Sequence, residues 1–225
     1  DVFVNAIERR YGNSVGRPLL AAFSSVCKMP MALASFFSFS WDFTLYSEGF
    51  IATDKSEFNA GEAFISLEDL LNSEPLDPDY VSIRSYVDHI IARKPNEGSI
   101  TPLQLANELE NDARQGLAML ASIDCGSPSL CCEMADIEAW AHLGLYFAAK
   151  LRAGVSYELF VRTGNEEDLQ QSIKWLESPN ALKHWDDLIH VTNSHYIKQP
   201  LLHLGKTPFS WELFRSQVLE DIEFV

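Results

Sequence analysis

Between Leu130 and about Val161 apolar residues recur at helical spacing without a break, and Met134, Ile137, Ala141, Leu145, Ala148 and Leu151 fall on one stripe. Gly164 supplies a stop, and Asn165 caps a following run that carries Leu169, Ile173, Trp175 and Leu176. A long helix with an apolar stripe must bury that stripe against other helices. This feature therefore directs the chain towards an all-α fold, a multi-helix bundle with antiparallel neighbours joined by short loops.

The flanking sequence supplies those neighbours. Asp1 reads as an N-cap for a helix through Val2, Phe3, Ala6 and Ile7 that ends near Tyr11-Gly12-Asn13. A second helix is predicted from Ser14 through Leu19, Leu20, Phe23 and Val26, with Pro30 interrupting it ahead of the apolar run Met31–Phe39. Ser66 with Asp69 opens a short helix to Asn72, and Asp79–Ile91 reads as another. Thr101-Pro102-Leu103-Gln104 combines a capping box with proline at the first helical position. Pro179 is expected to open a helix through Trp185 and Leu188, and Ser210 to cap the last one. The stretch near residues 40–62 departs from this pattern and reads as a long aromatic-rich loop. One helical domain over 1–225 follows, with the Pro-rich linker 73–79 or the turn 94–100 as points of subdivision.

Charge narrows the partners. A net charge of -15 repels phosphate backbones and anionic lipid, so neither nucleic acid nor a membrane is expected. No apolar run reads as approaching the ~20 residues that span a bilayer. The chain begins at Asp1 and no signal peptide is recognised, which reads as a processed or excised piece. A soluble protein follows, with secretion or the periplasm as candidate locations. Among the cysteines, Cys125, Cys131 and Cys132 lack the paired spacing of a zinc site. A local disulfide from Cys125 to Cys131 or Cys132 suits an oxidising compartment, while the general behaviour of cysteine favours inert thiols.

No phosphate loop, dinucleotide fingerprint, nucleophile elbow or H-E-x-x-H is present, so no catalytic residue, metal or cofactor is assigned. The histidines His184, His190, His195 and His203 do not repeat on one helical face, so they are expected in the surface or core rather than around a metal. Asp186-Asp187 beside His184 suggests a cation-binding acidic pair, and a solvated helix face also accounts for it. His142 with Glu138 is a polar pair that a cavity inside the bundle would need. Trp41, Asp42, Tyr46 and Glu48 are the candidate substrate contacts. Flat rings stack on the apolar faces of sugars, and carboxylates accept hydrogen bonds from hydroxyls. The competing reading is a loop whose aromatic residues pin it to the core. The Asn193-Ser194-His195-Tyr196 segment with the turn His203-Leu204-Gly205-Lys206 is read as the connection that folds the last helix back.

Two stretches carry a resemblance. Val2–Gly12 (V-F-V-N-A-I-E-R-R-Y-G) followed by Pro18–Phe23 resembles the segment after the last barrel strand of certain glycoside hydrolases, the α-glucuronidase families and related (β/α)8-barrel enzymes. Trp140–Val155 resembles the long helix of the C-terminal helical domain in such enzymes. The resemblance implies an accessory domain that braces an upstream catalytic barrel, meets carbohydrate through the parent enzyme, lines its cleft through the Trp41–Glu48 loop, or mediates dimerisation. The catalytic acids of those families lie mainly in the barrel, and this chain has no alternating βα pattern, so none is carried over. The alternative is a free-standing helical interaction or scaffold domain.

Overall fold

The computed structural model describes residues 2–36, 64–95, 99–196, 203–204 and 207–225. Helix α7 (Pro128–Thr163) is the axis of the fold. It starts where the Ser127 side chain accepts from the Leu130 N–H, with proline in its first turn, and it stops at Gly164 in the left-handed conformation at φ 71°. Its middle is not striped. Every residue from Leu143 to Leu151 is buried. Small side chains explain this: with Gly144, Ala148, Ala149, Ala153 and Gly154, neighbours can approach on more than one face.

Those neighbours are α6 (Pro102–Leu120), α8 (Glu166–Leu176) and α9 (Ala181–His195), which pack along α7. The α6 helix begins with the expected capping box, in which Thr101 and Gln104 satisfy each other's backbone N–H groups. Exchanging such a cap for alanine typically costs ~1 kcal/mol. At the N-terminal side, α1 (Val2–Tyr11) turns at Gly12, whose φ of 105° suits glycine, into α2 (Gly16–Val26). The interruption expected at Pro30 falls at Cys27–Lys28, and Pro30 enters the first turn of α3 (Met29–Phe36).

Residues Gly16–Phe36 are 21 residues long and apolar enough, by length and composition, to cross a membrane. This corrects the sequence reading that no run approaches a bilayer span. Here the stretch is divided between α2 and α3, and its Leu19, Ala22, Val26, Met29, Leu33 and Phe36 belong to the core. Of the run Met31–Phe39, Leu33 and Phe36 are buried, Met31 is exposed, and 37–39 fall outside the described residues.

Helix α4 (Leu67–Asn72) has the predicted Ser66–Asp69 capping box. Helix α5 (Ile83–Ile91) starts later than Asp79, because Tyr80 forms a parallel bridge with Ile100 and Ser82 takes the cap. Likewise α9 starts two residues beyond Pro179. Ser210 precedes a 3-10 turn, Trp211–Phe214, that leads into α10 (Arg215–Phe224). A two-residue antiparallel pair, β1 (His203–Leu204) and β2 (Thr207–Pro208), lies between α9 and that turn in the sequence. Among the described residues the chain is thus all-α apart from that pair.

The cysteine expectation needs a correction. Cys125 and Cys131 form a disulfide with their Cα atoms 5.3 Å apart, one of the two pairings left open by the sequence. The short loop before α7 brings them together. Cys27 and Cys132 are exposed thiols.

Candidate functional site

The four residues expected to meet a sugar, Trp41, Asp42, Tyr46 and Glu48, lie outside the described residues. The positions on either side of that stretch are both buried. Phe36 packs edge-on against Phe147 at 5.6 Å, and Phe64 packs edge-on against Trp185 at 5.7 Å.

Two polar features that the sequence shows separately are brought together by the packing of α7 on α9. His142 comes from α7; His184 and Asp187 come from α9, three residues apart and so on one helical face. The imidazole rings of His142 and His184 have centroids 6.0 Å apart and are tilted by 30°. His142 Nδ1 lies 3.8 Å from Asp187 Oδ2, and Glu138 Oε1 lies 3.9 Å from Nε2 on the other side of the ring. One ligand-type atom from each of His142, His184 and Asp187 falls within 4.8 Å of those from the other two.

The electrostatics of this group follow from its depth. Nδ1 of His142 and Nδ1 of His184 are both buried and have no hydrogen-bond partner among the described residues. Burial lowers the pKa of His142, against the pull of Asp187 and Glu138. Burial, with His142 as neighbour, lowers that of His184 to about 4. Both rings are therefore neutral near pH 7 and keep a lone pair available. The Asp187 side chain is 28% exposed, so the group is open to solvent on that side. Lys183 holds Asp187 Oδ1 from the preceding turn of α9.

Asp186 takes no part. It points away, as adjacent helical residues do, and accepts two hydrogen bonds from Arg215 at 2.7 and 3.1 Å. His190 and His195 are exposed on α9. The acidic pair is thus two separate contacts: Asp186 fastens α10, and Asp187 faces the histidines. Periodicity within one helix could not have found the group, because it depends on which residue of α9 meets His142. The available signal was a histidine with a carboxylate nearby on each of two long helices.

A polar cleft of about 430 Å³ lies at the N-terminal end of α7, lined by Arg10, Tyr11, Ser14, Asp124, Ser127 and Leu130 among others. Arg10 donates to Ser129 Oγ at 2.7 Å, and Tyr11 donates to Glu133 at 3.2 Å. The Arg-Tyr end of the Val2–Gly12 segment therefore forms one wall, and the loop holding Cys125 forms another.

No protein-family model matches the chain, and no curated protein matches it. Among solved structures the chain is similar to a GH138 enzyme targeting pectin rhamnogalacturonan II, with a TM-score of 0.74 and 14% sequence identity. The match covers 99% of this chain and 33% of that one, so the chain spans about a third of its length. At that identity the likeness shows the fold: this helical architecture also occurs within a glycoside hydrolase.

Proposed function

We propose that this chain is an accessory helical domain of a larger carbohydrate-active enzyme of the glycoside hydrolase type, and that it is not catalytic alone. The observation that carries the reading is the shape of the match. Nearly the whole chain, 99%, corresponds to a third of the GH138 enzyme, as a module within a larger protein would. The sequence agrees, since it has no catalytic motif and no βα alternation of its own. In this reading the helices brace a catalytic domain. Trp41, Asp42, Tyr46 and Glu48 contribute ring stacking and carboxylate hydrogen bonds to a wall of the substrate cleft. The parent's substrate is a polysaccharide, and pectin is the first to test because the structural neighbour targets one. An α-glucuronidase-like parent is the narrower form of the proposal and rests on the sequence pattern alone.

The test is the mass of the gene product in its source against the 25.3 kDa of this chain, followed by hydrolysis assays on pectin fragments. A much larger product that cleaves a polysaccharide, while the 225 residues alone do not, is the expected result. A native product of 25.3 kDa would overturn the reading and leave the free-standing scaffold in its place.

A further inference from the structure

We propose that His142, His184 and Asp187 bind one divalent transition-metal ion of the zinc class, which ties α7 to α9. The inference is independent of whether the chain belongs to a larger enzyme.

Three observations carry it. The first is the donor set: two imidazoles and one carboxylate suit a borderline ion such as zinc and do not suit calcium or magnesium, which take oxygen ligands. The second is the pair of buried Nδ1 atoms that no described residue satisfies. A buried polar atom without a partner is costly, and a cation held by the two histidines and Asp187 is a simple remedy for both. The third is the surroundings. When a metal takes one nitrogen of a histidine, the other ring N–H normally turns to a carboxylate, a backbone carbonyl or water. Glu138 stands on that side of His142, 3.9 Å from Nε2. Lys183 holds the Oδ1 atom of Asp187 and leaves Oδ2 facing His142.

The spacing requires a small adjustment. Tetrahedral zinc at about 2.0–2.1 Å from its ligands places them roughly 3.3 Å from one another. The ligand atoms, now within 4.8 Å of one another, close by up to about 1.5 Å through side-chain rotation. Three protein ligands leave the fourth position to water. Lys183 and Arg114 are the cations nearest the group and weaken binding, while Glu138 offsets them. Because the imidazoles are already neutral, binding displaces few protons at pH 7.

The experiment titrates zinc chloride into the chelator-stripped full chain, with calorimetry for stoichiometry and thermal melting for linkage. One ion per chain is expected, together with a rise in Tm of about 5 °C or more once zinc exceeds its Kd a hundredfold. His142→Ala and His184→Ala should each weaken binding by about a hundredfold or more, and Glu138→Gln by about tenfold. The double variant His190→Ala with His195→Ala should bind as the wild type does, because both rings are exposed on α9. Absence of saturable binding up to about 1 mM, or binding that survives His142→Ala and His184→Ala, would overturn the proposal. Nitrogen NMR of the wild-type imidazoles keeps the question open to refutation if those variants fail to fold. Zinc must move the His142 and His184 signals, and movement confined to other histidines would also overturn it.

Discussion

Lys150 and Asp221 meet at 2.7 Å inside the core, with side-chain exposures of 0% and 3%. Lys150 Nζ also donates to the Ile65 carbonyl at 2.7 Å and lies 4.5 Å from the centre of the Phe64 ring. Asp221 Oδ1 accepts the Leu67 N–H at 2.6 Å. One ion pair therefore joins α7, the start of α4 and α10. Burial raises the Asp221 pKa, while Lys150 and the Leu67 N–H pull it down. Removing Asp221 takes the buried carboxylate away from a fully buried ammonium, so Asp221→Ala should cost about 3–5 kcal/mol in urea unfolding. The double change Lys150→Met with Asp221→Leu removes both charges and should lie closer to wild type than Asp221→Ala does. A double variant as unstable as the single one would contradict this account.

Close helix approach at two glycines should give different penalties for the same methyl. A Cβ at Gly116 would lie 2.6 Å from Val26 Cγ1, on a β-branched side chain that is 1% exposed. A Cβ at Gly144 would lie 2.5 Å from Met29 Sδ, on a side chain that is equally buried but unbranched, with more torsions to adjust. Both changes gain roughly 1 kcal/mol of helix propensity. Overpacking costs about 1–3 kcal/mol where the neighbour cannot give. Gly116→Ala should therefore be the more destabilising of the two in denaturant melts, and the reverse order would count against the packing described.

These two examples also mark how far the sequence reaches. The local signals were legible because the chemistry of a cap lies within four residues: Ser66 with Asp69, Thr101 with Gln104, and Gly164 at a C-terminus all stand where the pattern placed them. The late start of α5 was not legible, since it depends on Tyr80 pairing with Ile100, twenty residues away beyond the end of α5. The all-round burial of the middle of α7 was hidden because periodicity marks one stripe of the helix as the core face, while Leu143, Tyr146 and Phe147 on other faces are buried by different neighbours. Lys150, a single cation within an apolar run, was a visible warning of a buried ion pair, but its partner Asp221 comes from another helix. His142, His184 and Asp187 were hidden for the same reason. The sequence shows each helix face but not which faces meet.

The Cys125–Cys131 disulfide closes a short loop that carries Gly126 and the Ser127 cap of α7, both in the wall of the polar cleft. A crosslink over so short a loop restricts the unfolded chain by about 2 kcal/mol. Reduction, or Cys125→Ser with Cys131→Ser, should lower Tm by about 4–8 °C in a chain of this size. Cys132→Ser removes an exposed thiol and should leave Tm unchanged. A scan with and without reductant decides the matter, and a Tm insensitive to reductant would show that the loop is held by its other contacts.

Glu110 links α6 to α7, pairing with Arg114 of its own helix and with Arg152 of α7, each at 2.7 Å. Burial works to raise its pKa, but the two guanidinium groups prevail and hold it below the ordinary value of 4.5. The folded state therefore binds this proton less tightly than the unfolded state does. The stabilisation is fully present above the unfolded value and is lost as pH falls through the depressed folded value. Glu110→Gln imitates the protonated form. The stability gap between wild type and Glu110→Gln should be constant near pH 7, with the variant the weaker. It should narrow below 4.5 and close once Glu110 is protonated in both states. Because the side chain is 27% exposed, solvent screening keeps the gap at neutral pH to about 1 kcal/mol. Urea melts of both proteins across pH 3–7 test this, and a gap that persists unchanged at the acid end would mean that Glu110 contributes by packing and not by charge.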